Sequence, residues 1–321
     1  MDVFKLKFWG CTGSIPSPLS TFDLYNRISE VLCFAIEKGL NDKELIGKFI
    51  DELPFYLRGT YHGNTPCIEI IDNDDRNYII FDAGSGIRPL GQSLMNRIAP
   101  HSHIHIFMSH YHWDHIQGFP FFVPIYNKST RVTIYGSHPD FEESFKKQFT
   151  KSNFPVSFSN LQAIIDFKYL EPDKDFVVGN YIIKSHLVPH PGGSYSYKLM
   201  RDNVSIVYAT DIEIKNFNSN YIEEYINFFK DSKFLIYDSM YTVPENVMKE
   251  DWGHSSVIIG IDLAIQANIK NIIIFHHEPS YSDKEIEDIY KSAILYKNMR
   301  TKGKNVNVIT SYDGLEIDIL E

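Results

Sequence analysis

The densest group of potential metal ligands lies in residues 109–115, which read SHYHWDH. This group directly follows the apolar run 104–108, a pattern that predicts a buried strand. Near a strand end, side chains two residues apart point the same way, so His110 and His112 can bind one cation together. The chain then turns, and Asp114 and His115 face a neighbouring point. The spacing predicts a two-metal site, with nitrogen ligands on one ion and mixed ligands on the other.

Further ligand candidates follow other apolar runs. They are His190, Asp211 and His276, each at or shortly after the end of a predicted strand. Ligands at the ends of different strands are how a rigid scaffold collects distant residues into one site. The sequence leaves open whether His276 or His277 faces the cleft. We favour His276, because it directly follows the apolar strand 271–275.

These motifs, in this order, resemble the metallo-β-lactamase superfamily over nearly the whole chain. The first of them is Asp82 in the FDAG sequence at 81–84, which resembles an aspartate that supports the histidine loop from behind the metal ligands. The resemblance also implies how the ligands divide between two ions. One ion would be bound by His110, His112 and His190, the other by Asp114, His115 and His276, and both by the bridging Asp211.

Four segments resemble a hydrolase branch near the phosphodiesterases and the tRNA 3′-end endonuclease ribonuclease Z: residues 8–16, 61–65, 113–118 and 275–279. Asp114 stands where iron-binding redox members of the superfamily carry glutamate. Asp211 stands where many true β-lactamases place cysteine. Thioester hydrolases of the glyoxalase II type add a helical C-terminal domain, whereas the sequence after His276 predicts one helix at 283–302 and two short strands. The resemblance therefore favours phosphodiester hydrolysis.

One more pair of residues points to the same chemistry. Asp238 ends an apolar strand, and His254 opens the helix-like run 257–267. The two resemble a pair in ribonuclease Z, in which a histidine protonates the leaving oxygen and an acidic residue orients it. A helix N-terminus disfavours the imidazolium, and an adjacent carboxylate restores it, so such a histidine can act as a general acid. The alternative is a capping or core role for His254.

We therefore expect a dinuclear metal-dependent hydrolase, a phosphodiesterase acting on a nucleotide-like or cyclic nucleotide substrate through a hydroxide that bridges two metals. The candidate catalytic residues are Asp114, His254 and Asp238, and Asp114 is also a metal ligand. Zn²⁺ suits the imidazole-rich ligand set best, with Mn²⁺ or Fe as alternatives. Two rivals remain. One is thioester or lactone hydrolysis at the same site, and the other is a metal-bearing sensor or binding protein without turnover.

Composition is consistent with an intracellular enzyme. The chain has 321 residues, 43% hydrophobic and 22% charged, values of an ordinary folded protein, and we expect one domain over 1–321. No apolar run reaches membrane-spanning length, and no signal segment is evident at the N-terminus. Three cysteines without paired spacing are typical of a reducing compartment, so we expect a cytoplasmic location.

The net charge of −10 bears on partners. Proteins that bind long polyanions usually carry a basic face, because phosphate neutralisation dominates the affinity. The sequence also has no long Gly-rich or basic insertion like the arm with which ribonuclease Z holds tRNA. We therefore expect a small phosphodiester substrate rather than structured RNA, and no membrane partner.

The pattern of strands and helices predicts a layered α/β domain, with one continuous strand near 177–188 and closing strands at 304–310 and 314–320. The resemblance implies an αββα four-layer sandwich, here with a helical insertion at about 21–57. Asn41 and Glu44 have the spacing of an N-cap and its reciprocal partner. An apolar stripe recurs at helical spacing in the first half of the insertion: Phe22, Tyr25, Ile28, Leu32, Cys33 and Ile36. The stripe has three alternative roles, namely packing on the body, a lid over the metal cleft, or a homodimer contact.

Overall fold

The computed structural model describes residues 3–73, 76–97, 102–215, 219–300 and 306–320, with only the backbone of 219–221. Within these ranges the strands are β1 (Phe4–Gly10), β2 (Cys67–Asp72), β3 (Asn77–Phe81), β4 (His103–Phe107), β5 (Arg131–Gly136), β6 (Ile164–Tyr169), β7 (Phe176–Val178), β8 (Tyr181–Val188), β9 (Ser194–Arg201), β10 (Val204–Ala209), β11 (Phe234–Asp238), β12 (Asn271–Phe275), β13 (Asn307–Thr310) and β14 (Glu316–Asp318).

The α-helices of the described residues are α1 (Thr21–Glu37), α2 (Ile46–Glu52), α3 (Phe55–Arg58), α4 (Ile87–Leu94), α5 (Trp113–Ile116), α6 (Phe141–Lys146), α7 (Ser219–Phe229), α8 (Val243–Met248), α9 (Val257–Gln266) and α10 (Asp283–Arg300). No helix in the described ranges is both long and apolar enough to cross a membrane.

The strands form two seven-stranded sheets. Their orders are β14-β1-β2-β3-β4-β5-β6 and β13-β12-β11-β10-β9-β8-β7. In each sheet one block of strands is parallel, β3 to β6 in the first and β10 to β13 in the second. Parallel neighbours end at the same edge of a sheet, so the residues that follow β3, β4, β10 and β12 come together in space.

Alternating side chains of these strands fill cores on both faces of each sheet. Between the sheets, Phe81 of β3 stacks on Tyr208 of β10, with ring centroids 5.3 Å apart. On the outer faces, Ile106 of β4 belongs to a core with α4, and Ile274 of β12 belongs to a core with α9 and α10. Burial on both faces explains why these strands read as continuous apolar runs. The layers run helix, sheet, sheet, helix, so the predicted αββα sandwich is confirmed.

Several details differ from the predicted elements. The strand predicted at 177–188 is two strands, because the chain turns at Gly179, which has a φ of 53°. Helices α4, α7 and α8 were not anticipated. Asp42, rather than Asn41, caps the short 3₁₀ turn Lys43–Leu45, and its side chain accepts a hydrogen bond from the Glu44 amide. Residues 301–302 of the predicted last helix and 304–305 of a predicted closing strand lie outside the described residues.

The segment 21–57 is helical, as α1, α2 and the start of α3, but its apolar stripe does not cover the body. Phe22 is 71% exposed, Tyr25 69%, Leu32 58% and Ile36 80%. The side of α1 that faces the body includes Arg27, whose guanidinium pairs with the buried carboxylate of Asp283 on α10. That this segment is an insertion into the family fold stays a prediction.

Candidate metal centre

Six strand ends bring the candidate ligands to one edge of the sandwich. Asp82 follows β3, the histidine motif follows β4, and His190 lies in the turn between β8 and β9. Asp211 follows β10, Asp238 ends β11 and His276 follows β12. The predicted ligands thereby form two adjoining clusters. Asp211 has one carboxylate oxygen near each of them.

The first cluster consists of His110, His112, His190 and Asp211. His190 Nε2 lies 3.1 Å from His112 Nδ1. Asp211 Oδ1 lies 3.6 Å from His110 Nε2 and 3.7 Å from His190 Nε2. Three imidazole nitrogens and one carboxylate oxygen therefore face a common point.

The second cluster consists of Asp114, His115 and His276, together with the other oxygen of Asp211. Asp114 Oδ2 lies 3.3 Å from His115 Nε2 and 3.2 Å from His276 Nε2. Asp211 Oδ2 lies 3.1 Å from His115 Nε2 and 3.3 Å from His276 Nε2. The two oxygens of Asp211 thus point to different clusters, which is the arrangement of a bridging carboxylate.

The clusters fit divalent metal ions on two grounds. First, ligand atoms about 2.0–2.1 Å from a tetrahedral zinc stand about 3.3 Å from one another, which is close to the separations observed here. Second, His110 Nε2 and His115 Nε2 are buried and make no hydrogen bond with any described residue. Buried polar atoms without a partner are rare in native proteins, and a metal ion would satisfy both.

The far nitrogens of two of these rings are fixed by hydrogen bonds. His190 Nδ1 donates to the Gly253 carbonyl at 2.8 Å. His115 Nδ1 lies 2.7 Å from Asp82 Oδ2, which also accepts from the hydroxyls of Tyr208 and Ser109. Such bonds set the tautomer and leave Nε2 free to bind a metal. Asp82 therefore supports the histidine loop, as the resemblance implied.

The electrostatics of the two clusters differ. In the first, burial is the main cause that lowers the pKa of His110, His112 and His190, which favours the neutral, metal-binding form. In the second, burial opposes the charge of His115, but Asp114, Asp211 and Asp82 outweigh it and raise its pKa. These carboxylates create a negative potential that attracts a cation.

Backbone geometry positions the second cluster. Asp82, Asp211 and His276 adopt left-handed conformations with φ of 58°, 51° and 63°. The loop after β1 closes over them, and the Ser14 amide donates to Asp114 Oδ2 at 2.8 Å. A Cβ at Gly13 would stand 2.6 Å from the His276 ring, so only glycine allows this approach.

His254 and Asp238 lie beside both clusters. His254 Nδ1 is 2.7 Å from Asp238 Oδ2, and its ring stacks on that of His276 at 5.1 Å. Burial lowers the pKa of His254, but the charge and hydrogen bond of Asp238 outweigh it and raise the pKa to about 9. Ser256, not His254, is the N-cap residue of α9. The pair therefore has the geometry of a proton donor and its orienting carboxylate.

Other polar residues of interest have supporting positions. His277 Nε2 bonds the Ser311 carbonyl at 2.9 Å, away from the clusters, whereas His276 Nε2 lies in the second cluster. His62 is 7% exposed and bonds the Tyr281 carbonyl. Sequence reasoning missed Glu213, whose carboxylate accepts from the Gly253 amide and thereby holds the peptide segment that orients His190. Its position two residues after Asp211, a candidate ligand, was the signal that the sequence offered.

The fold and these clusters agree with the comparisons to known proteins. Residues 77–277 match the family described as the beta-lactamase superfamily domain, and the chain belongs to this family. It is a metallo-β-lactamase-fold hydrolase that is similar in sequence to ribonuclease Z, and this fold implies divalent metal binding.

Individual relatives are distant in sequence. Ribonuclease Z of Oceanobacillus iheyensis is 23% identical over 263 residues, which are 67% of this chain and 83% of that protein. The metallo-beta-lactamase fold protein YhfI from Bacillus subtilis superposes with a TM-score of 0.65 at 15% identity, covering 99% of this chain and 100% of that one. Yeast PDE1 gives a TM-score of 0.64 at 14% identity, covering 99% and 100%. At these identities the two structures show the fold alone.

Proposed function

We propose that the chain is a dinuclear metal-dependent phosphodiesterase that acts on a nucleotide-like or cyclic nucleotide substrate. One observation carries the proposal: the His254–Asp238 pair lies directly beside a set of ligands that share one carboxylate. Hydrolysis of a phosphodiester with a poor leaving group needs a proton at the departing oxygen, and this pair can supply it. Thioester hydrolysis has less need of such a donor, because a thiolate leaves readily.

The ligand set proposed for the two ions is His110, His112 and His190 for one, Asp114, His115 and His276 for the other, and Asp211 for both. Zn²⁺ is the ion that imidazole-rich sites of this kind suit best, with Mn²⁺ or Fe as alternatives. A bound pair of divalent ions lowers the pKa of water and offsets the negative charge that develops on a phosphoryl group.

The chain's own residues would then divide the work as follows. His254 holds its proton on Nε2, since Nδ1 is engaged by Asp238, and gives it to the leaving oxygen. Asp238 is fully buried and keeps the ring in that orientation. Asp114 fixes the loop after β1 by accepting a hydrogen bond from the Ser14 amide, and its charge would help to hold the second ion.

Two exposed tryptophans support a substrate with a flat base. Trp113, between ligands His112 and Asp114, is 83% exposed. Trp252, next to Gly253, is 63% exposed. Large aromatic side chains beside a catalytic centre can stack on a nucleobase, which contributes about 1–3 kcal/mol per base. The net charge of −10 favours a small phosphodiester over structured RNA.

The proposal is tested on metal-reconstituted protein. Elemental analysis should give two ions per chain. A substrate panel should show turnover of bis-p-nitrophenyl phosphate and of a cyclic nucleotide, and little turnover of a thioester or a lactone. His112→Ala and Asp211→Ala should abolish turnover with the circular dichroism spectrum unchanged. His103→Ala is the matched control, because His103 bonds Thr133 on β5 and lies outside both clusters.

Three results would contradict the proposal. At most one tight ion per chain excludes a dinuclear site. Preference for the thioester or the lactone assigns the same site to carbonyl chemistry. Two bound ions with no turnover of any substrate make the protein a metal-bearing sensor or binding protein.

A further inference from the structure

The outward face of α1 is apolar and open to solvent. Five large apolar side chains point from it into solvent, each more than half exposed: Phe22, Tyr25, Ile28, Leu32 and Ile36. No residue of α1 is buried. At 100° per residue these side chains lie opposite Arg27, which pairs with Asp283 of α10, and opposite the half-buried Phe34. The usual arrangement of an amphipathic surface helix, apolar side inward, is therefore reversed.

The orientation of α1 is fixed by polar contacts on its inner face. The Arg27 guanidinium binds both Asp283 and the Gly59 carbonyl. Glu30 accepts a hydrogen bond from the Tyr56 hydroxyl at 2.9 Å. Turning the apolar side inward would break these contacts and bury charge. The exposed face is therefore a stable property of the folded chain.

We propose that this face of α1 pairs with the same face of a second copy of the chain, antiparallel, across a two-fold axis near Ser29. The spacing Phe22, Tyr25, Ser29, Leu32, Ile36 alternates three and four residues, which is the seam of a helix that packs on another helix. Large side chains lie at both ends of the seam and the small Ser29 at its centre. Such a seam is complementary to itself when reversed, as a two-fold contact requires.

The available area suits a dimer. Aromatic side chains bury about 150–250 Å² each, so Phe22 and Tyr25 offer on the order of 300 Å², and the aliphatic side chains add a comparable amount. With a polar rim, the face approaches the roughly 800 Å² per partner of a standard interface. Monomers rarely leave an apolar patch of several hundred Å² uncovered.

Charge argues against a membrane as the occupant. Helices that lie on a bilayer carry Lys and Arg beside their apolar face. Here Asp23, Glu30 and Glu37 lie along the helix, and its last turn has no basic residue. The net charge of −10 opposes binding to anionic lipid as well.

Sedimentation of the full-length, metal-loaded protein tests the proposal between about 1 and about 100 µM. The wild type should sediment at twice the chain mass at the upper concentration, and Leu32→Glu at the chain mass. Ile36→Glu should have the same effect. Leu295→Glu is the matched control, because Leu295 on α10 is an equally exposed helical leucine, at 64%, and should leave the dimer intact. Unchanged circular dichroism establishes that each variant folds.

A disulfide tests the position of the axis. In the double variant Ser29→Cys, Cys33→Ser, the introduced thiols of two copies should lie within the roughly 4.4–6.8 Å Cα separation that a disulfide spans, and mild oxidation should link the chains. Cys11 and Cys67 are buried and should not react. The proposal is overturned if the wild type is monomeric at every concentration, if Leu32→Glu remains dimeric, or if the dimer gives no cross-link. A monomer that binds phosphatidylserine vesicles would instead assign the face to a membrane.

Discussion

His254 carries the most specific chemical role in the proposed site, and the role of this residue can be separated from metal binding. If it protonates an alkoxide, His254→Ala should lower kcat by roughly 10²–10⁴ on a phosphodiester with a poor leaving group. The loss should be much smaller with p-nitrophenolate, which leaves without a proton. Steady-state kinetics on both substrates measure the difference.

Two further variants sharpen this test. Asp238→Asn should act in the same direction as His254→Ala, because the amide holds the ring without stabilising its charge. His62→Ala serves as the control, since His62 bonds the Tyr281 carbonyl outside the clusters. Equal losses on the two substrates would mean that His254 binds substrate or supports the site and donates no proton.

Asp313 gives a prediction for pH. Burial is the main cause that raises its pKa to about 6, against hydrogen bonds from Asn64. A carboxyl group with a higher pKa in the folded chain than in the unfolded chain stabilises the fold most when the pH is below its unfolded pKa. This contribution is lost as the pH rises through about 6. The free energy of unfolding of Asp313→Asn should therefore increase relative to that of the wild type between pH 4 and 7.5, by up to about 3 kcal/mol.

Urea unfolding of both proteins across that pH range measures the gain. Asp288→Asn is the control, because the Asp288 side chain is exposed on α10, and it should show no comparable trend. A pH-independent difference between wild type and Asp313→Asn would show that the carboxyl keeps the same affinity for protons in the folded and unfolded chain.

At the scale of single residues, the sequence was informative wherever the side chain itself would do the chemistry of the proposed site. His110, Asp211 and His276 each end an apolar run, so local pattern was enough to select them as candidates. Residues that act through other residues left no such signal. Ser14 acts through its backbone amide and Glu213 through Gly253, and both depend on contacts across the fold.

The element that a variant can most directly probe is α1, through its contact with α10. The side chains of Arg27 and Asp283 are 14% and 5% exposed. Arg27→Met should destabilise the protein by about 3 kcal/mol, because it leaves a buried carboxylate without its cation. Adding Asp283→Asn should recover part of this loss. In a double-mutant cycle measured by urea unfolding, the double variant should then lose much less free energy of unfolding than the sum of the losses of the two single variants.

Lys48→Met provides the comparison for that cycle. Lys48 pairs with Glu52 on α2, but both side chains are largely exposed, so Lys48→Met should change the free energy of unfolding by almost nothing. Additive effects of the Arg27 and Asp283 changes would show that the pair is not coupled and that α1 is held by other contacts.

Elements were predictable from sequence where periodicity and burial agree. Strands such as β4 and β12 are buried on both faces, so their apolar runs were unambiguous. The turn at Gly179 within a continuous β pattern was not seen, since it depends on a left-handed glycine rather than on polarity. The apolar stripe of α1 was recognised, but periodicity alone cannot say whether such a face meets the body or solvent.

For the molecule as a whole, one domain over 1–321 remains a prediction, and unfolding can test it. The central core takes Phe8 and Phe81 from one sheet and Tyr208 and Phe275 from the other, so unfolding of either sheet would expose the inner face of the other. Variants that retain a single tryptophan, Trp9 on β1 or Trp252 beside α9, should therefore report the same urea midpoint by fluorescence. Two distinct midpoints would mean that the halves unfold separately.

Along the chain, each sheet begins with antiparallel strands and continues with parallel ones, but this repetition was not visible as a sequence repeat. The backbone path repeats while the side chains do not, because each half places different residues in the shared core and at the ligand edge. Overall architecture was predictable through the resemblance of the motifs, which the family match supports, and not through any internal similarity.

The left-handed backbone at Asp82, Asp211 and His276 has an evolutionary consequence. A residue other than glycine in this conformation costs about 1 kcal/mol or more, so glycine at Asp211 or His276 would relieve the backbone while deleting a side chain of the proposed metal site. At Asp82 the lost hydrogen bonds to Ser109, His115 and Tyr208 would outweigh that relief. At the two strand ends with Asp211 and His276, stability therefore favours glycine, whereas activity favours the present side chain. A descendant of this chain released from selection for activity is expected to lose these side chains early and to become more heat-resistant as it does so.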